Sequence, residues 1–229
     1  MKTRLFPVLI MIILLTPAYG QERETRETED FTIISLHVSA NVYLKQGNNR
    51  KVVLEGSASD LEKIETYVDG KRLRVKSKNN FFTSMGKVDI FITIPEIEGL
   101  EISGSGDIIA ETPIKTGDFH MKISGSGDIT ISELVAAAVK AAISGSGDIE
   151  MEKAGNAEKL SIAISGSGDI DLRQLAANNV DIVISGSGDC NVNATGKLGV
   201  KISGSGDVYY KGKPVVNAEV SGSGKIQHI

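Results

Sequence analysis

Six aspartates occupy the same place in a repeated pentapeptide, and they are the side chains of this sequence best placed to do chemistry together. They are Asp107, Asp128, Asp148, Asp169, Asp189 and Asp207, and each follows a Ser-Gly-Ser-Gly run. If the repeats stack, two neighbouring carboxylates ~4.8 Å apart repel by about 3.5 kcal/mol at an effective dielectric constant of 20. Such a column must be balanced by amide hydrogen bonds, lysines or cations. It is therefore a candidate ligand-binding or ion-binding ladder.

The chemistry of the aspartate column has three interpretations. The favoured one is structural, because aspartate side chains readily bond backbone amides at turns. The second is calcium binding, since Gly-x-Gly-x-Asp is similar to the nonapeptides of calcium-binding β-rolls; here the motif recurs only every 18 to 21 residues, so the second turn of such a site is missing. The third is glycoside hydrolysis by paired carboxylates. Six equivalent positions fit a structural element better than separate acid and base roles, so we predict no catalytic residue and no metal site, with Ca²⁺ as the sole cofactor alternative.

The remaining reactive side chains are isolated in the sequence. His37, His120 and His228 show neither metal-ligand spacing nor a neighbouring nucleophile. Cys190 occupies a position that other repeats fill with isoleucine or valine, which predicts a buried thiol. These patterns predict a non-enzymatic protein.

The pentapeptide repeat determines the predicted architecture. Ser-Gly-Ser-Gly begins at seven positions, 18 to 21 residues apart: Ser103, Ser124, Ser144, Ser165, Ser185, Ser203 and Ser221. The flanking residues alternate between apolar and polar, as in Val180–Ile184, which is typical of strands with one buried face. A unit of about 20 residues cannot bury its apolar face alone but can do so by stacking on its neighbours. We therefore predict an all-β fold, a single-stranded parallel β-helix or solenoid with coils of about 20 residues, in which even the alanine-rich segment 133–142 is a strand.

The glycines of the repeat leave two local geometries open. If the chain stays extended through Ser-Gly-Ser-Gly-Asp, the glycines face inward and let the opposite wall approach closely. If the chain bends, glycine supplies the positive φ that the bend needs. In both cases the serines and the aspartate face outward or cap the bend.

The residues before the repeats divide into less regular segments. Residues 1–20 combine a basic start, a short apolar run and small residues near the end, which is typical of a signal peptide. Residues 21–30 are polar and predict a disordered leader. Residues 31–100 predict an irregular N-terminal part of the solenoid, with one short helix over Ser59–Val68 and a degenerate copy of the repeat at Val38–Val42. Residues 101–229 form the repeat coils, and residues 31–229 together form a single domain.

Charge and hydropathy exclude several classes of partner. The net charge is −4 and the sequence has no cluster of lysines and arginines beyond a strand-like alternation at residues 71–78, so nucleic acid is not an expected partner. The apolar run near the N-terminus is too short for a spanning helix, which needs about 20 residues, and no second run follows. We expect an exported mature protein without a transmembrane segment, in the periplasm, at the cell surface or outside the cell.

The repeat resembles that of the head GIN-domain family of auto-transporter adhesins, which is common in Bacteroidetes-type bacteria. The resemblance rests on the Ser-Gly-Ser-Gly-Asp series from Ser103 to Asp207, on Val42–Gly47 and on Leu61–Ile64. It covers the chain from Phe31 towards the C-terminus. It implies a right-handed β-helix similar to pectin-lyase-like folds, no established catalytic residues, and a role in adhesion.

Three functional hypotheses follow from these observations. The leading one is a non-enzymatic protein of the cell envelope that presents its regular Ser/Asp face to a glycan or a cell-surface protein. The second is a structural module that forms homo-oligomers through the solenoid ends, since the sequence stops at Ile229 directly after the last turn. The third is a polysaccharide-active β-helix enzyme.

Overall fold

Stacked parallel coils form most of the molecule. The structure is a computed structural model, and it describes residues 21–78 and 85–229. The elements are β1 (Glu22–Arg26), β2 (Ile33–Leu36), β3 (Asn41–Gln46), β4 (Lys51–Gly56), α1 (Ala58–Leu61), β5 (Ile64–Asp69), β6 (Arg72–Ser77), β7 (Asp89–Ile94), β8 (Gly99–Ile102), β9 (Asp107–Ala110), β10 (Ile114–Ile123), β11 (Ile129–Ile131), β12 (Leu134–Ile143), β13 (Ile149–Met151), β14 (Gly155–Ile164), β15 (Ile170–Ile184), β16 (Cys190–Gly204), β17 (Val208–Lys211), β18 (Val215–Gly222) and β19 (Ile226–His228). The predicted signal peptide, residues 1–20, lies outside the described residues.

Each coil contributes strands to two parallel ladders. The Ser-Gly-Ser-Gly-Asp segment of the coil, here called the corner, connects one ladder to the other. Before the corner, β8, β10, β12, β14, β15, β16 and β18 pair in that order; after it, β9, β11, β13, β15, β16, β17 and β19 do the same. The stack makes about six turns with a spacing of ~20 residues. The predicted all-β solenoid of stacked parallel coils is therefore confirmed.

Columns of inward side chains build the core, because alternation sends every second residue of a strand inside. One column runs through the first residue after each corner aspartate and is almost entirely inaccessible to solvent: Ile108, Ile129, Ile149, Ile170, Cys190 and Val208. Each such side chain contributes about 1.5–3 kcal/mol by leaving water. The burial predicted for Cys190 is confirmed, and so is the strand at the alanine-rich segment, which is β12.

The segment 21–30 was expected to be a disordered leader, and for its first half this is wrong. Strand β1 pairs antiparallel with β4 from Glu22 opposite Gly56 to Arg26 opposite Val52. Arg23 Nε lies 2.7 Å from the Glu55 carboxylate, and Arg26 Nη2 donates to the Leu61 carbonyl at 3.2 Å. The strand is polar throughout because it forms an outer edge and buries little of itself, which removed the apolar signal on which a strand assignment depends.

The helix predicted over Ser59–Val68 is also too long. Helix α1 has a single turn, capped by the Ser57 side chain, and the chain then enters β5, which forms an antiparallel hairpin with β6. The hairpin turns at Gly70, whose φ of 63° is in the left-handed region that favours glycine. The apolar residues at 61, 64 and 68 fit a helical spacing, but Ile64 is buried as the first residue of a strand.

The degenerate copy of the repeat at Val38–Val42 is confirmed and explains how the N-terminal part supports the coils. Strands β2 and β3 pair in parallel with β8 and β9, so they occupy the coil position before the first perfect repeat. Asn41 lies opposite Asp107 and Val42 lies opposite Ile108. The repeat corners therefore start from a base that already has their shape.

Candidate functional site

The corner glycines allow consecutive coils to touch backbone to backbone. A Cβ atom on Gly125 would lie 2.2 Å from the Gly104 carbonyl oxygen, and one on Gly127 would lie 1.9 Å from the Gly106 oxygen. The same overlap recurs at each later coil. Of the two geometries left open by the sequence, close approach is the one found, but the neighbour is the preceding coil and not the opposite wall. Among the corner glycines only Gly204 and Gly222 have a positive φ in the left-handed region.

The close contact changes the hydrogen bonding at the corner. The amides of Ser126 and Gly127 both donate to the carbonyl of Gly104, at 3.0 and 3.2 Å. This doubling leaves the next amide, that of Asp128, without a carbonyl partner on the preceding coil. Oδ1 of Asp107 accepts it instead, at 3.0 Å. The Asp128 residue is exposed, so the carboxylate takes a place that water would otherwise fill and adds a charge-assisted hydrogen bond between the two coils.

The same bond between a carboxylate and the amide of the next coil recurs along the solenoid. Each corner aspartate accepts the amide of the residue at the same place in the next coil, at 2.7–3.0 Å, and the last one, Asp207, accepts the amide of Lys225. The six predicted site residues Asp107, Asp128, Asp148, Asp169, Asp189 and Asp207 thus form one column, with one member per coil. The structural interpretation of the column is supported, with the difference that the amide belongs to the following coil and not to the same turn.

The column does not gather ligands around a single point. Within residues 21–78 and 85–229 no ion pair reaches these six carboxylates, and no group of three or more His, Cys, Asp or Glu side chains is arranged to hold a metal ion. The second carboxylate oxygen of Asp207 accepts the Tyr209 hydroxyl at 3.3 Å.

Two columns of exposed serine hydroxyls flank the aspartates. In every perfect repeat both serines face solvent, as do Ser144 and Ser146. In the described part of the chain, no hydrogen bond within the protein uses the hydroxyl of a corner serine. These hydroxyls are therefore free to bond a partner, at a repeat of ~4.8 Å along the axis.

The structure also assembles a polar cluster that the sequence did not reveal, and the view that the histidines are isolated is wrong for two of them. On the outer face of β8, Glu101 accepts two hydrogen bonds from Arg72, each 2.8 Å, and lies 3.2 Å from His120 Nε2. Ser35 Oγ lies 2.9 Å from His37 Nε2. Register could have revealed the cluster, since aligning Val38–Val42 with the first repeat puts Ser35 beside Glu101, as observed.

The Ser35–His37 contact is poorly placed for nucleophilic catalysis, because Ser35 is only 1% exposed and its hydroxyl is shielded from a substrate. Burial raises the pKa of Glu101, but hydrogen bonds from Arg72, His120 and Ser35 outweigh it and lower the pKa to about 2. The hydrogen bond between Ser35 Oγ and His37 Nε2 can run in either direction, depending on which nitrogen of His37 carries the proton. Burial, followed by the charge of Arg74, lowers the pKa of His37. The cluster therefore ties β2, β6, β8 and β10 together on their outer face.

Cys190 is no better suited to reaction. Its side chain is fully buried, and burial, followed by the charges of nearby aspartates, raises the pKa of its thiol above the ordinary value. A thiol held in its protonated form is a poor nucleophile.

Comparison with known protein families identifies the family to which this architecture belongs. The family model described as putative auto-transporter adhesin, head GIN domain, matches residues 30–214. The chain belongs to this family. The match includes the degenerate copy and all six corner aspartates, so the family resemblance proposed from the repeat is confirmed.

Solved structures of similar fold come from Bacteroides and Parabacteroides species. A putative adhesin from Bacteroides fragilis has a TM-score of 0.87 at 24% identity, over 93% of this chain and 99% of that one. A putative adhesin from Parabacteroides distasonis has a TM-score of 0.74 at 19% identity, over 93% and 98%. A putative lipid binding protein from the same species has a TM-score of 0.72 at 23% identity, over 92% and 97%. At these identities the likeness establishes the fold of this GIN-domain chain and not its ligand.

Two further comparisons complete the description. No match to this chain is found among curated protein sequences. Within residues 21–78 and 85–229, none of the helices has the length and apolar character that crossing a bilayer requires.

Proposed function

We propose that this GIN-domain protein is exported and acts without catalysis, as a binding module of the cell envelope that holds a glycan or a glycan-bearing surface protein along its Ser/Asp corner. The observation that carries the proposal is the pair of exposed serine columns whose hydroxyls have no partner within the described chain. A surface hydroxyl needs no special explanation alone, but two in every coil, in register, form a surface of regular chemistry. Membership in a family of putative adhesins supports a surface-binding role.

The corner is rigid enough to present these groups without first being ordered. Its backbone is fixed by two amides on each glycine carbonyl and by one carboxylate on each following amide. A rigid, repeated surface loses little conformational entropy when it binds. Each serine can donate one hydrogen bond and accept others, and each aspartate can accept. Sugar hydroxyls offer the complementary groups. A single contact of this type is weak, but a chain-like partner can engage several coils together and gain affinity through effective concentration.

The arrangement gives less support to an enzyme. Each of the six aspartates accepts the corresponding amide of the next coil, whereas glycoside hydrolysis requires two carboxylates with different protonation. The Ser35 hydroxyl beside His37 is buried and not open to a substrate. We therefore favour a binding function over catalysis. We assign no catalytic role to the corner aspartates or to the Ser35–His37 pair.

The test compares corner variants on a glycan array and in pull-down from envelope extracts. We expect Ser144→Ala/Ser146→Ala/Ser165→Ala/Ser167→Ala, which removes four hydroxyls from two adjacent coils, to lose binding by ~10-fold or more, since each lost hydrogen bond weakens binding by about 0.5–1.5 kcal/mol. The variant should fold, because these hydroxyls hold nothing within the protein. Ser161→Ala on another outer face is the matched control and should bind like the wild type. A wild-type protein that captures no glycan and no surface protein would refute the proposal, as would a quadruple variant that binds unchanged.

A second function, self-association, is favoured by the C-terminal coil. All eight residues of β18 are exposed, including the large apolar residues Val215, Val216 and Val220, with 76%, 40% and 43% of their surfaces in water. An exposed strand edge with apolar side chains readily pairs with another strand. The edge strand at the other end, β1, is charged and does not match this apolar edge. We therefore expect the β18 strands of two copies to pair with each other. The two strands would run antiparallel, related by a two-fold axis at Ala218. That register brings Val216 opposite the partner copy's inward apolar residues.

Sedimentation across a wide concentration range tests this second candidate. We expect a reversible dimer in the wild type and a monomer in Val216→Glu/Val220→Glu, which places like charges opposite each other in the proposed register, with unchanged circular dichroism. Val183→Lys, on the lateral face, is the control and should still dimerise. A wild-type chain that stays monomeric at every concentration removes this candidate and leaves the binding proposal untouched.

A further inference from the structure

A groove crosses the outer face of the last three coils, away from the Ser/Asp corner. Its floor and ends are Asp181, Gly199 and Asn217, which occupy one outward column on β15, β16 and β18. Val183, Lys201 and Glu219, two residues further along the same strands, form its side wall. The cavity volume is about 280 Å³, close to the lower limit of typical small-molecule sites.

The groove exists because one outward position lacks a side chain. The same column carries His120, Lys140 and Ser161 on earlier coils. The other glycine in it, Gly99, is covered by the ring of His120, which a Cβ on Gly99 would meet at 2.1 Å. At Gly199 only the end of a flexible side chain approaches, with Asp181 Oδ1 at 2.7 Å from an ideal Cβ. Two coil spacings separate the backbones of Asp181 and Asn217, roughly 9.6 Å, which leaves a slot wide enough for one ring-sized group.

The lining groups match the chemistry of a sugar. Within the described chain, neither the Asp181 carboxylate nor the Asn217 amide makes a hydrogen bond or ion pair, so an acceptor and a mixed donor–acceptor face each other across the glycine. Lys201 and Glu219 pair at 3.2 Å and balance each other. Val183 is 47% exposed and supplies an apolar wall for the C–H face of a ring. The one unbalanced charge is that of Asp181, which disfavours an anionic ligand.

We propose that this groove, the Gly199 groove, is a subsite for a single neutral sugar residue. The inference rests on the proposed glycan-binding function and adds the place and the ligand class. Asp181 accepts from one ring hydroxyl, Asn217 bonds a second, and Val183 packs against the ring. The groove and the serine columns lie on the same coils, so a longer glycan can contact both.

The test locates binding by NMR. Isotope-labelled protein is titrated with neutral methyl glycosides of glucose, galactose, mannose and N-acetylglucosamine. We expect at least one glycoside to shift the backbone amides of Asp181, Gly199 and Asn217. We expect Gly199→Gln, which fills the slot, to weaken that binding by ~10-fold or more, equivalent to about 1.4 kcal/mol, and Asp181→Asn to weaken it less.

Gly199→Gln is a clean variant because its backbone φ is not positive and only a mobile carboxylate must move aside. Lys140→Gln, in the same column three coils before Gly199 and not adjacent to a groove residue, is the matched control and should leave the shifts unchanged. If the glycosides shift none of the groove amides while the serine variants still lose glycan binding, the Gly199 groove is wrong and the proposed function stands. If the wild type binds no glycoside and captures neither a glycan nor a surface protein, both fail.

Discussion

Replacing one corner glycine with alanine should damage the stack far more than a single methyl group normally does. A Cβ on Gly147 would lie 2.0 Å from the Gly127 carbonyl oxygen and 2.9 Å from its carbonyl carbon. Ordinary contacts of a Cβ begin at 3.4 Å, so the two coils must separate by more than about 1 Å at this corner. The atoms in the way belong to backbone on both sides, and neither can rotate aside. We therefore expect Gly147→Ala to strain every hydrogen bond that crosses the corner.

The magnitude follows from the bonds that cross there. The amides of Ser146 and Gly147 donate to Gly125 at 3.0 and 3.3 Å, and the Asp148 amide donates to Asp128 Oδ1 at 2.8 Å. Losing or weakening two or three of them, at about 0.5–1.5 kcal/mol each, gives a loss of about 3 kcal/mol. For a chain of this size that corresponds to a fall of roughly 6–12 °C in the melting temperature.

The assay is urea unfolding followed by circular dichroism, with thermal melting as a second measurement. The control is Gly117→Ala, since a Cβ on Gly117 meets nothing within 4 Å and its φ is not positive. We expect that control to be neutral or to stabilise by about 0.4–1 kcal/mol, because alanine restricts the unfolded chain. Equal unfolding midpoints for Gly147→Ala and Gly117→Ala would refute the argument that the corner depends on glycine for close approach.

Three further predictions concern the groups that hold the coils together. Asp148→Ala should lower the free energy of unfolding by about 1–2 kcal/mol and speed hydrogen exchange at the Asp169 amide in particular. Asp148→Asn keeps an acceptor and should protect that amide. Unchanged exchange in the alanine variant would show that the Asp148 carboxylate is not the partner of the Asp169 amide. Because the folded pKa of Glu101 is about 2 and its ordinary value is 4.5, its contribution, on the order of 3 kcal/mol, should be complete above pH 4.5 and disappear as the pH falls towards 2. Glu101→Gln should flatten the pH dependence of unfolding over that interval, and a slope equal to that of the wild type would contradict it. The Cys190 thiol, fully buried with a raised pKa, should react with a thiol reagent only at the rate of unfolding, and fast labelling of the native protein would refute its burial.

The sequence predicted the coils well because their signal is repeated. A single alternating segment such as Val180–Ile184 is weak, but seven copies at near-constant spacing leave one architecture that can bury them all. The same logic recovered the degenerate copy at Val38–Val42 and kept the alanine-rich strand β12 from being assigned as a helix. Where there is no repeat the prediction failed: β5 carries apolar residues at a spacing that suits a helix as well, and β1 is an edge strand without apolar residues.

The chemistry of the corner was only partly predictable. The outward orientation of the aspartates follows from alternation, and their role as amide acceptors from their residue type. Which amide each accepts depends on the distance between coils; the repeated glycines predicted a close approach, but not that the preceding coil is the neighbour they approach. The Glu101 cluster was missed for a related reason, since its members are joined by register across four strands. The Gly199 groove exists because Gly199 has no side chain. This is noticed only when the outward residues of successive coils are aligned with one another.

The aspartate column also has a direction, and its series of acceptors stops at the seventh corner. In each of the first six corners the aspartate accepts the corner amide of the next coil. At the seventh corner the residue in that position is Lys225, whose side chain has no acceptor. A further coil laid down in the same direction on that corner, whether from an insertion or from another molecule, would have an orphaned amide against a cation. Lys225→Asp is thus the smallest change that would offer a further coil the acceptor that the first six corners provide.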